Sequence, residues 1–205
     1  MQTPYHISSY CQIKNNEISL NGNVLYSNKY LEFPKFIKGA AAHLELNYSK
    51  FYKMDNLSKL AFLAADVLLK NTQLAATVEH NIAILLSNRS SSLDTDRKHQ
   101  ESINDLQNFY PSPSIFVYTL PNICIGEISI KHQLFSENCF FIFEAFNAAH
   151  LFVNAENLLK SNKAEKVLCG WADFDGDDFE AFLYLVEANG KITHTPKEIK
   201  RLFKS

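Results

Sequence analysis

The chain has no paired-cysteine motif: its four cysteines, Cys11, Cys124, Cys139 and Cys169, are widely spaced and none stands in a CxxC pair. That spacing excludes a zinc ribbon or a dithiol redox centre, and apolar neighbours make all four small core residues. Seven histidines, His6, His43, His80, His99, His132, His150 and His194, lack metal-ligand spacing with one another or with cysteines and carboxylates, so neither a metal nor another cofactor is expected. Glycine is missing where a phosphate loop would need it. Ser90, Ser91 and Ser92 follow an apolar strand, but without glycine they make neither a P-loop nor a dinucleotide fingerprint. An excess of one charge is also absent, since 20 Lys and Arg face 22 Asp and Glu for a net charge of −2. That balance excludes a nucleic-acid surface, and the short basic run at residues 197–204 reads as a solvated helix face. No apolar run approaches the roughly 18 to 20 uncharged residues of a membrane span. The opening MQTPYHISSYCQIKNN lacks the basic region and apolar core of a signal peptide. A cytoplasmic chain is the expectation.

Hydrophobic residues at 46% and charged residues at 20% are enough for a buried core, and 205 residues suit a single domain over 1–205. Residues 5–13 read as a strand, followed by a turn-rich segment, 14–23, with Asn-Asn and Asn-Gly. Residues 31–52 mix Pro34, Gly39, alanines and aromatics, and read as a long connection on the domain surface. From Asp55, a natural N-cap, Leu57, Leu60, Ala61, Ala64, Val67 and Leu68 recur at helical spacing up to Lys70 and Asn71. NIAILLS at 81–87 is the continuous apolar run of a strand buried on both faces.

The polar stretch 88–108 offers Asp94, Thr95 and Asp96 to cap a helix from about Arg97. Residues 110–120 read as an extended piece meeting a turn, and ICIGEISIKHQLF fits helix or strand. CFFIFEAFNAAHLFVNAENLL at 139–159 predicts a buried strand feeding straight into a helix, with Ala145 at the junction. Helix N-termini favour developing anions, so such junctions often carry nucleophiles. KVLCGWADF and FEAFLYLVEA predict two more strands, and Asn189-Gly190 predicts a hairpin from the second to KITHT. Thr195-Pro196-Lys197-Glu198 is a capping box for a final helix. Strand and helix alternate as in an α/β layered fold.

Asp173, Asp175, Asp177 and Asp178 resemble a calcium loop, but Gly176 is displaced from the required position, and the run reads as a strand-to-strand turn. Cys139, before the apolar strand, is the obvious thiol nucleophile, yet it lies too far from the helix start to gain from the dipole and reads as structural. His150 points away from Ala145 and reads as a core or interface histidine.

Several motifs agree in order and separation with one family. Thr119-Leu120-Pro121-Asn122, Gly126-Glu127-Ile128-Ser129, Ser136-Glu137-Asn138-Cys139 and Val167-Leu168-Cys169-Gly170-Trp171-Ala172-Asp173 resemble the N-terminal half of the β-ketoacyl synthases, and MDNLSKLAFLAADVLL at 54–69 is similar to a helix of theirs. The resemblance implies an α/β, thiolase-like layered fold, one half of it (βαβαβαββ), with a mixed, mainly parallel five-stranded sheet covered by helices. It places the family's nucleophilic cysteine on Ala145, flanked by Glu144 and Phe146 instead of small residues. The family's two histidines and lysine belong to a C-terminal half that is not expected here.

The resemblance therefore implies a non-catalytic subunit, similar to chain length factors or to the short synthase-like proteins of aryl polyene and dialkylresorcinol pathways. Chain length factors usually replace the cysteine with glutamine, and Ala145 departs from that also. A ketosynthase subunit or a second copy is the implied partner, with acyl carrier protein a further one. Phe140, Phe141, Phe143 and Phe146, with the turn of Thr119, Leu120, Pro121 and Asn122, would line the interface or acyl pocket. Two other readings stay open: a small acyl-thioester transferase or hydrolase using Cys139 or Ser112, and a scaffold that binds acyl carrier protein.

Overall fold

Residues 4–70, 72, 80–105, 107 and 109–205 are described by a computed structural model. Alternating burial along His6–Lys14 makes strand β1, and two tight turns return the chain through β2 (Glu17–Leu20) and β3 (Asn23–Ser27). Asn15, Asn16, Asn21 and Gly22 all have positive φ, the backbone that two-residue hairpins require. The segment expected to hold only turns therefore contains β2 between two of them. The expected surface connection is instead largely helical: α1 spans Phe33–His43 and buries Phe33, Phe36, Ile37, Ala40 and Ala41. A 3₁₀ turn at Ser49–Lys53 buries Phe51. Pro34 falls in the first helical turn, where its missing N–H costs nothing.

Helix α2 (Asn56–Lys70) is the central helix, buried along nearly its whole length and capped by Asp55, which accepts the Ser58 N–H at 2.9 Å. Asn71 of the expected C-terminal end and Asn108 of the polar stretch lie outside the described residues. Strand β4 (Ile82–Asn88) is buried at every position. Helix α3 is Leu93–Ile103, starting four residues before Arg97 because Ser92 and not the aspartates holds the N-cap position. The piece expected to be extended forms α4 (Pro113–Phe116) and a 3₁₀ turn (Val117–Thr119), followed by α5 (Ile123–His132). Strand β5 (Asn138–Ile142), α6 (Ala148–Lys160), β6 (Lys166–Asp175), β7 (Asp178–Glu187), β8 (Ile192–Thr193) and α7 (Pro196–Lys204) complete the order.

One eight-stranded sheet runs β3-β2-β1-β7-β6-β4-β5, with β8 also pairing β1. Its centre is the expected mixed five-stranded sheet: β5, β4 and β6 are mutually parallel, β7 is antiparallel to β6, and β1 is antiparallel to β7. Four of those five strands thus point one way. The meander β2-β3 and the short β8 extend it to eight.

The tight hairpin lies at Gly176-Asp177, joining β6 to β7, where Gly176 has φ +63°. Asn189-Gly190 makes no hairpin back onto β7; it carries the chain across to β1, and Gly190 packs so closely that a Cβ there would lie 2.8 Å from His6 Cβ.

Two cores flank the sheet. One contains α1, α2 and α5 with Ile84, Leu86, Leu168 and Leu183; the other contains α6 and α7 with Leu85, Val167, Phe182 and Tyr184. Ile7 belongs to the second core while Cys11 and Ile13 belong to the first, although alternation alone would put all three on one face. A register shift between Ile7 and Ser9 explains the exchange.

Buried His194, 3% exposed, ties β8 to α6 through Nδ1, 3.1 Å from Glu156 Oε1. Burial holds its pKa below the ordinary 6.5, with Glu156 opposing. The unfolded chain therefore binds the extra proton first as the pH falls through 6.5. Folded stability is highest above that value, falls through the window down to the folded pKa, and levels below it. Urea midpoints should drop as the pH falls through and below 6.5, and drop less in His194→Gln, which cannot take up that proton.

Candidate functional site

The carboxyl ends of β4, β5 and β6 meet at one end of the sheet. The chain passes from β4 to β5 on one side of β4, then crosses by α6 to β6 on the other side. Crevices at such reversals are the usual ligand sites of open α/β sheets. A pocket of about 190 Å³ opens here, with Arg89, Glu144, Ala145, Phe146, Trp171 and Phe203 in its wall.

Each wall residue has a local reason for its place. Arg89 follows the end of β4, and its backbone N–H and that of Ser90 donate to Asp173 Oδ1 at 3.1 and 2.8 Å. Its guanidinium lies 3.5 Å from Asp173 Oδ2 and 3.4 Å from Asp178. A second arginine, Arg97 on α3, pairs with Asp175. The acidic run is thus a β-hairpin in which Asp173 and Asp178 face Arg89 and Asp175 faces Arg97. Among the described residues no group of three or more His, Cys, Asp or Glu is placed to hold a metal. Phe146 stacks on Phe203 of α7 at 4.2 Å and meets Phe182 edge-on at 5.8 Å and Trp171 at 6.1 Å.

Ala145 is exposed, and it does not sit at the helix N-terminus as expected. Strand pairing continues to Phe143, whose N–H donates to Asn88 O at 2.9 Å, and α6 begins only at Ala148. Asn147 holds the cap position and accepts the His150 N–H at 3.0 Å, so one of the helix's unpaired donors is already used. The strand is also less buried than its apolar letters imply. β5 is the last strand of the sheet, and Asn138, Cys139 and Ile142 are exposed.

The aromatic residues expected to share one pocket are divided. Phe140 packs against the α2 and α5 core, whereas Phe141 and Phe146 pack against the α6 and α7 core. Phe141 and Phe143 stack at 5.8 Å, with the His150 ring against them at 4.6 and 5.0 Å. The Thr119 to Asn122 turn sits elsewhere, on α3: Ser92 Oγ donates to Thr119 O at 2.7 Å. Pro121 O accepts from Cys124 Sγ at 3.1 Å, Asn122 stands at the N-cap of α5 without a side-chain cap bond, and Leu120 is 54% exposed. Phe116 and Val117 beside it are 58% and 47% exposed, and together the three leave an apolar patch at the surface.

The alternative nucleophiles gain no support from their surroundings. Ser112 Oγ is 2.9 Å from Ser114 Oγ, a hydroxyl too weak to serve as base. Cys139 is exposed on the edge strand, and no described side chain is hydrogen-bonded to its Sγ. Cys11, Cys124 and Cys169 are buried, and burial pushes all three thiols up, away from reactivity. Arg89 and Phe203 escaped the sequence reading, and Trp171 entered it only within the Val167 to Asp173 motif, because the three come from distant segments. Only the position of Arg89 and Asp173 at adjacent strand ends could have marked them.

No protein-family model and no curated protein matches the sequence. Solved structures do. A chain of the ishigamide ketosynthase/chain length factor superposes with a TM-score of 0.64 at 18% identity, over 90% of this chain and 62% of that one. A chain from the complex of the ketosynthase ApeO with its chain length factor ApeC from Xenorhabdus doucetiae gives 0.62 at 16% identity, over 99% of this chain and 91% of that one. A β-ketoacyl synthase from Burkholderia phymatum STM815 gives 0.59 at 11% identity, and this chain spans 59% of its length. The fold is therefore the thiolase-like fold of ketosynthases. Among the described residues no single helix is long and apolar enough to cross a membrane.

Proposed function

We propose that this chain is a non-catalytic, ketosynthase-like subunit that supports a condensing enzyme in fatty-acid or polyketide-type synthesis, in the manner of a chain length factor beside its ketosynthase. What supports this reading is Ala145: where the motif resemblance aligns the family's nucleophile, the chain presents a methyl group to the pocket. A methyl group forms no thioester.

The partner would dock on β5 and the patch of Phe116, Val117 and Leu120. An open strand edge is a ready template for pairing, and grouped apolar side chains mark interfaces. Phe140, Phe141 and Phe143 on β5 would be covered by that contact, while Phe146 would stay with the pocket. Acyl carrier protein would reach the chain as part of the same assembly.

Two assays test this. Condensing activity of the ketosynthase from the same source should depend on added chain, and the chain alone should show none. The Ala145→Cys variant, incubated with acyl thioesters, should remain unacylated by mass spectrometry, because neither a paired base nor a helix N-terminus adjoins that position. Stoichiometric acylation of the variant, or of Cys139 in the unaltered chain, would favour the transferase reading.

A further inference from the structure

We infer that the outer face of α6 and α7 binds an acidic amphipathic helix of a second protein. The two helices lie side by side and antiparallel over one core. Phe146, just ahead of α6, stacks on Phe203 near the end of α7, while His194, just ahead of α7, reaches Phe152 and Glu156 further along α6. Their solvent faces therefore form one surface.

Charge is the first ground. Lys197, Lys200, Arg201 and Lys204 are exposed and recur at spacings of three and four, so one face of α7 carries all four cations. Like charges at those spacings repel one another and weaken a helix. The helix dipole favours Arg201 and Lys204 in the last turn, but Lys197 stands in the first, at the positive end. Glu198 pairs with Arg201 at 2.8 Å, and none of the three lysines has an ion pair among the described residues. On α6 the one carboxylate, Glu156, is already shared by Lys160 and His194. No side chain of either helix is left to answer the lysines.

The second ground is apolar. Ala149 and Val153 are exposed, Val153 by 52%. They stand one turn from Phe152 and Glu156, on the shoulder of α6 next to α7. A partner helix with apolar residues along one edge and carboxylates along the other meets both features, as amphipathic helices do when they dock on an apolar strip, and charge complementarity sets its direction. A membrane surface fits less well, because an interfacial helix inserts its apolar side chains and those of α7 are spent: Ile199 and Leu202 are buried and Phe203 is stacked. Nucleic acid would meet a chain whose net charge is −2. The inference stands apart from the proposed ketosynthase contact, which lies on β5 and the Leu120 turn.

The isolated chain is titrated, by fluorescence anisotropy, against a labelled stapled helical peptide with leucines along one face and glutamates along the other, and against its glutamine counterpart; co-sedimentation with phosphatidylglycerol vesicles is measured beside them. The glutamate peptide should bind saturably, its glutamine counterpart at least about tenfold more weakly, and added salt should narrow the difference. Lys200→Glu combined with Lys204→Glu should abolish measurable binding, and Val153→Asp should weaken it several-fold. All three substitutions are exposed, so thermal melts of the variants should match the unaltered chain. Equal affinity for the two peptides, undiminished binding by the double variant, association with the vesicles in place of the peptide, or no saturable change would overturn the inference. None of these results bears on whether a ketosynthase binds.

Discussion

Replacing Gly170 with alanine is expected to lower the melting temperature by about 10 °C, since an added Cβ meets closer neighbours there than at any other glycine. Gly170 lies in β6 opposite Leu183 of β7, at the middle of the sheet. A Cβ there would meet Phe182 O, and would lie 2.5 Å from Leu183 Cδ2 and 2.9 Å from Leu183 Cα. The leucine methyl could turn aside; the neighbouring backbone cannot. The Gly170 carbonyl also accepts Ser87 Oγ–H at 3.0 Å, so β6 cannot shift without breaking a buried hydrogen bond. Forced overpacking of this kind costs about 3 kcal/mol, a large share of the roughly 5 to 15 kcal/mol that holds a domain together. Thermal melts followed by circular dichroism check this; a shift of only a degree or two would show that β6 and β7 do not pair in this register.

The second large effect concerns assembly. Leu120→Asp changes a side chain that is 54% exposed, and surface substitutions of that kind alter folding by only about 0.5 kcal/mol. In the proposed complex the aspartate would be buried without a partner, at a cost of about 3 kcal/mol, which weakens binding roughly a hundredfold. Ile142→Lys, at the end of the open edge strand and 49% exposed, should act in the same direction because lysine blunts strand edges. Titration calorimetry with the ketosynthase, alongside melts of the free variants, separates loss of binding from loss of fold. Unchanged affinity in both variants would move the interface away from the open strand edge and from the Leu120 turn.

How much of this was legible in the letters depended on how local the determining interaction is. Helix α2 could be read because Asp55 caps it and its apolar residues recur at helical spacing; α7 could be read from Thr195, which accepts the Glu198 N–H at 3.2 Å. Strand β4 declared itself as an uninterrupted apolar run.

Helix α1 was hidden by Pro34 and Gly39, each of which has a reason that only the fold supplies. Pro34 occupies the first turn, and a Cβ at Gly39 would lie 2.6 Å from the Tyr26 hydroxyl oxygen of β3. Asn189-Gly190 misled because its partner strand is β1, more than 180 residues away, and not the strand just completed. Grouping Phe140 with Phe141 ignored the two-residue period of a strand, which sends neighbours to opposite faces.

The candidate site was legible only at its centre. The motif alignment marked Ala145 and its neighbours Glu144 and Phe146, all three of which line the pocket. Arg89, Trp171 and Phe203 are brought to them by the crossing of α6 and the return of α7, and no spacing rule in the sequence connects these segments. Ala145 also lies outside the helix start, since Phe146 and Asn147 intervene before α6, so the geometry as well as the residue has moved away from a nucleophile elbow.

The account is tested most directly by the mass of the species formed when the purified chain is mixed with the ketosynthase from the same source. Sedimentation equilibrium should find a one-to-one complex, with condensing activity present in the mixture and absent from the chain alone. A chain that remains unassociated at every concentration, while the ketosynthase condenses at full rate without it, would contradict the account.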